Sequence, residues 1–79
     1  MNEICQQAEV FLSELVADLR FDVKVSAEWT DEGCVMNLSG EDASLLLSEN
    51  GEMLDAFETL LFQIYGRKLD REHRFICDA

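Results

Sequence analysis

FDVKVSAEWTDEGCVMNLS, residues 21–39, carries the period of a β-strand, a turn, and a second strand-length apolar run. Phe21, Val23, Val25, Ala27 and Trp29 alternate strictly with Asp22, Lys24, Ser26 and Glu28, so one face is apolar and the other wet. Thr30-Asp31-Glu32-Gly33 has the polar and glycine content of a hairpin loop, and Cys34–Ser39 (CVMNLS) supplies the returning strand. The pair is expected to be antiparallel.

On the N-terminal side, from Asn2 to Leu19, Ile4, Ala8, Phe11, Leu12, Leu15 and Leu19 recur at the spacing of one helix face, with Gln6, Gln7, Glu9, Glu14 and Asp18 opposite. On the C-terminal side, Ser39 followed by Asp42 reads as an N-cap with an acidic first turn, opening a short helix through Leu45, Leu46 and Leu47. Ser48-Glu49-Asn50-Gly51 is expected to stop it. A further helix runs from about Glu52 to Tyr65, with Met53, Leu54, Phe57, Leu60, Leu61 and Ile64 on one face, Gly66 as its stop, and Arg67 and Lys68 where a C-terminus favours cations. His73–Asp78 (HRFICD) is short and apolar enough for a third strand.

The order is helix, strand, strand, helix, helix, strand. It predicts one α/β domain of two layers (α+β) over residues 1–79, with three helices covering one face of a three-stranded sheet. The last strand is reached by a helical crossover, which suits a parallel pair, so the sheet is expected to be mixed with Cys34–Ser39 in the middle.

At 79 residues the chain has room for one core. No stretch approaches the roughly 20 apolar residues of a membrane span, and MNEICQQAEV lacks the basic start of a secretory signal, so neither is expected. Cys5, Cys34 and Cys77 are too few and too scattered for a disulfide framework; they are expected to be core residues in a reducing, cytoplasmic setting. The 17 acids against 6 bases give −11, which repels phosphate backbones and anionic membranes. Residues 1–66 carry −12 and residues 67–79 carry +1, so Arg67, Lys68, Arg71 and Arg74 form the positive patch.

The segment GEDASLLLSENGEMLDA, residues 40–56, resembles the central motif of the KH domain in the bacterial Jag protein family, above all in Gly40-Glu41-Asp42-Ala43 and Gly51-Glu52. Asn37-Leu38-Ser39 and RFICDA (residues 74–79) extend the likeness over roughly residues 10–79. The resemblance implies a bacterial, type II KH fold and single-stranded RNA binding. In that family a small domain named for an Arg-x-x-x-His motif follows, beginning just past the counterpart of Asp78-Ala79, where this sequence stops.

A KH domain clamps about four nucleotides with a Gly-x-x-Gly turn. Glycine admits the phosphate, the next helix offers free N–H groups, and basic residues add attraction. The resemblance places that contact at Leu47, Ser48, Glu49, Asn50 and Gly51, but here the turn reads Ser-Glu-Asn-Gly. A carboxylate about 4 Å from a phosphate costs about 1 kcal/mol in water and about 4 at an effective dielectric of 20. Clamping is therefore expected to be weak. The alternative expectation is a protein-interaction module, pairing with itself or with a basic partner.

The other chemistry-bearing residues have plain readings. His73 and Cys77 share a strand face but fall short of the four ligands of a structural zinc site, and His73 has no nucleophile in sequence reach. No catalytic residue, metal, cofactor or small-molecule substrate is expected. Trp29 reads as core edge, with an exposed contact for a base or a partner protein as the alternative. Arg67, Lys68, Arg71 and Arg74 are candidate phosphate contacts, and Glu41, Asp42, Glu49, Glu52, Asp55 and Glu58 read as a solvated face or one offered to a basic protein.

Overall fold

The computed structural model describes residues 2–79; the side chains of Ser48, Glu49 and Asn50 lie outside the described residues. The chain builds helix α1 (Glu3–Asp18), strands β1 (Lys24–Thr30) and β2 (Gly33–Ser39), a 3-10 turn (Ala43–Leu47), helix α2 (Ser48–Tyr65), a second 3-10 turn (Gly66–Lys68) and strand β3 (Arg74–Asp78). The sheet order is β1-β2-β3, with β1 antiparallel and β3 parallel to β2. This is the expected mixed sheet. No helix among the described residues is long and apolar enough to cross a membrane.

Asn2 caps α1, its Oδ1 accepting from the N–H groups of Ile4 at 2.8 Å and Cys5 at 3.2 Å. The other end closes with Arg20 at φ 63°: the Phe21 N–H donates to the Val16 carbonyl and the Arg20 N–H to that of Ala17. That is a Schellman motif with arginine where glycine is usual. The buried stripe of α1 is Cys5, Ala8, Leu12 and Val16, with Ile4, Phe11 and Leu15 partly buried beside it. Leu19 departs from expectation, because as the C-cap it leaves the helix and stands 47% exposed.

The hairpin turns on Asp31 and Glu32, and the Thr30 hydroxyl ties it by donating to the Gly33 carbonyl and accepting from the Glu32 N–H. Gly33 has φ 136°, and a Cβ there would overlap the Arg74 backbone of the neighbouring strand. Along both pairings Trp29, Cys34 and Phe75 fall in one row and Ala27, Met36 and Cys77 in the next. These rows face the helices. Leu54, Phe57 and Leu61 of α2 and Leu46 of the 3-10 turn complete the core.

Several expectations are corrected here. Ser39 is not an N-cap; it ends β2 opposite Lys24. The lead-in is closed instead by Asp42, whose carboxylate accepts from the Asp22 N–H at 2.6 Å while its own N–H donates to the Asp22 carbonyl at 3.1 Å. The expected short α-helix is a 3-10 turn, and residues 48–51 do not separate two helices, because they form the first turn of α2. Nothing in Ser-Glu-Asn forbids helix, and an acid early in a helix is favoured by the dipole. Gly66 does stop α2, as expected, standing at its C-cap with φ −60° where the chain tightens into a 3-10 turn. Met53 and Ile64, expected on the buried stripe, are exposed.

Cys5 and Cys34 are core residues as expected, but against expectation they form a disulfide, with 29 residues of separation, between the first turn of α1 and the central strand. Both are fully buried. Cys77 is the free, buried cysteine.

Candidate nucleic-acid interface

The residues singled out for phosphate contact divide between two ends of α2. At its N-terminus, Leu47 is the N-cap, exposed, with no side-chain cap bond, and Ser48–Asn50 follow in the helix. Gly51 has φ 76° with nothing within 4 Å of where a Cβ would stand. The expected clamp positions Ser48, Glu49 and Asn50 have side chains outside the described residues.

At the other end, the run from Phe62 to Phe75 folds back on itself. The Asp70 carboxylate accepts from the Glu72 N–H at 3.1 Å and bonds His73 Nδ1 at 2.5 Å, which holds the turn before β3. His73 in turn stacks on Trp29, with ring centroids 4.7 Å apart and planes inclined at 27°. Trp29 is thereby tied to the core edge, as expected, through a partner that periodicity could not name. The bond to His73 is the main cause holding the Asp70 carboxyl below its ordinary value.

These contacts leave a cleft of about 400 Å³ lined by Phe62, Gly66, Leu69, Asp70, Arg71, His73, Arg74 and Phe75. Phe62 is 65% exposed, and its ring lies so close to Gly66 that a Cβ there would meet Cδ2 at 2.6 Å. Among the described residues the only ion pair is His73–Asp70, so Arg71 and Arg74 carry no carboxylate partner. The cleft gathers two of the four predicted cations. Arg67 and Lys68 sit on the adjoining 3-10 turn, outside its lining.

The cluster of acids proves mixed in role. Asp42 and Glu58 accept backbone N–H groups, Glu58 from Cys77 at 2.7 Å, whereas Glu41, Glu52 and Asp55 are exposed. His73 precedes β3 and bonds Asp70, and Cys77 is buried beneath it, its thiol pushed up to about 12 first by burial and then by the Glu58 charge. Among the described residues no group of three or more His, Cys, Asp or Glu is placed to hold a metal ion. Sequence reasoning did not single out Phe62, because it falls outside the apolar stripe of α2 and periodicity does not mark it as the wall of a cleft. No protein-family model matches the chain, and no curated protein matches it either.

Proposed function

We propose that the chain is a KH-like domain of single-stranded RNA-binding ancestry, in which the Ser48–Gly51 segment clamps phosphate weakly and the residual contact lies in the Phe62–Arg74 cleft. The observation that carries this reading is the exposed Phe62 ring in a cleft that Arg71 and Arg74 also line, neither arginine paired with a carboxylate among the described residues, on a chain of −11. Guanidinium groups pair with phosphate, and an exposed ring offers a stacking platform to any base. The mixed sheet supports the ancestry, as does Gly51, left-handed and open at the position of the family's second glycine.

The same reading places the domain in the cytoplasm. The Cys5–Cys34 disulfide runs against this setting, since such bonds form mainly in oxidising compartments; its burial slows exchange with thiols but does not account for its formation.

The test is fluorescence anisotropy of a labelled single-stranded RNA pool at low salt. Two phosphate contacts predict weak binding whose logarithm falls against log salt with a slope of about −1.4. Arg71→Glu with Arg74→Glu should abolish it, and Ser48→Gly with Glu49→Arg and Asn50→Arg should strengthen it. Absence of binding by both the native chain and the triple variant would overturn the reading.

A further inference from the structure

Both helices pack on one face of the sheet, and among the described residues the opposite face carries no element. Its strand residues are Lys24, Ser26, Glu28 and Thr30 of β1, Val35, Asn37 and Ser39 of β2, and Arg74, Ile76 and Asp78 of β3, none of them in the buried core. Val35 and Ile76 are register partners, each half-buried, and they floor a hollow of about 500 Å³ whose rim includes Thr30, Asp31, Glu32 and Asp78. Among the described residues no cation is paired with any of these three acids.

The two sheet edges are occupied. Glu9 of α1 accepts from the Ala27 N–H on the β1 edge at 2.5 Å, and Glu58 of α2 accepts from the Cys77 N–H on the β3 edge at 2.7 Å. A partner strand adding at either edge would have to displace a carboxylate. A segment that reaches this sheet therefore lies across its open face.

We propose that this face is a docking surface for a cationic polypeptide segment, which seats an aliphatic side chain on Val35 and Ile76 and sets lysine or arginine against Asp31, Glu32 and Asp78. Charge selects the occupant. Four acids on the face and hairpin (Glu28, Asp31, Glu32, Asp78) outnumber Arg74 and the distant Lys24, and the chain as a whole carries −11. A second copy brings the same charge, and RNA brings phosphates; both are repelled. The surface shares Arg74 with the Phe62 cleft but neither its apolar floor nor its acids, so it stands whether or not that cleft takes RNA.

The experiment is an amide-shift titration of the whole chain with a synthetic ten-residue peptide alternating lysine and leucine, beside a lysine–serine peptide of equal charge. The lysine–leucine peptide should shift the amides of Thr30, Val35 and Ile76, and the lysine–serine peptide should bind about tenfold more weakly. Ile76→Ser keeps the charge and should weaken binding about tenfold. Asp31→Asn with Asp78→Asn keeps the apolar floor, guards against misfolding of the first variant, and should weaken binding while flattening its salt dependence. Equal binding of the two peptides, unchanged affinity in both variants, shifts mapping to the acids of the helices, or RNA shifting these amides while the peptide does not would each overturn the proposal.

Discussion

Cys77 shows at the scale of one residue how packing sets chemistry. Its side chain lies in the core and its N–H is held by Glu58, so burial and then the neighbouring carboxylate raise the thiol from 9.0 to about 12. A raised folded value means that the unfolded chain releases the proton first. The contribution is therefore fully present below pH 9 and is lost as pH climbs from there toward about 12. Each unit in that window removes up to about 1.4 kcal/mol. Denaturant melts of the native chain and of Cys77→Ala between pH 8 and 11 should show a steeper alkaline loss in the native chain. Parallel curves would refute this. In the folded state the same thiol should resist a thiol-specific reagent at pH 8 and react only on unfolding.

Between elements, two carboxylates finish what backbone pairing leaves open. A three-stranded sheet has two edges, and each helix lends one glutamate to an edge N–H: Glu9 to Ala27 and Glu58 to Cys77. Glu58→Ala should cost about 1–3 kcal/mol through the orphaned donor and promote self-association, visible as concentration-dependent light scattering. Glu58→Gln keeps an acceptor and should leave scattering as it is in the native chain; equal scattering from both variants would contradict edge protection. The strands, their pairing and the central place of β2 were legible because alternation and the crossover rule are local signals. The edge caps were not, since Glu58 and Cys77 stand 19 residues apart and an acid on a helix reads as solvated until its neighbour is known. The first turn of α2 escaped for a related reason. Ser48–Gly51 carries turn-forming residues, and although Gly51 is indeed left-handed at φ 76°, the 3-10 turn runs directly into α2 with no loop between them. Phe62 was equally silent, because the core-facing side of α2 is settled by Leu54, Phe57 and Leu61 together.

For the molecule as a whole, the disulfide joins the two layers. Cys5 lies in the first turn of α1 and Cys34 in the central strand, so the bond fastens the helical layer to the sheet over a separation of 29 residues. Closing a loop of that length removes about 3–4 kcal/mol of unfolded-state freedom in the chain-entropy account. A chain of 79 residues is expected to hold only about 4–12 kcal/mol in total, so the link is a large fraction of it. Cys5→Ala with Cys34→Ala should lower the melting temperature by more than 10 °C, since each kcal/mol moves a domain of this size by about 4–8 °C. Because both cysteines are fully buried, dithiothreitol reaches the bond only through opening of the α1–β2 contact. The rate of reduction should therefore rise with urea in step with unfolding, and a helix-capping change such as Asn2→Ala, which loosens the first turn that holds Cys5, should accelerate it. Reduction that is fast in buffer and indifferent to urea would mean that the bond is reached without opening the core, and the two layers would then have to be held by packing alone.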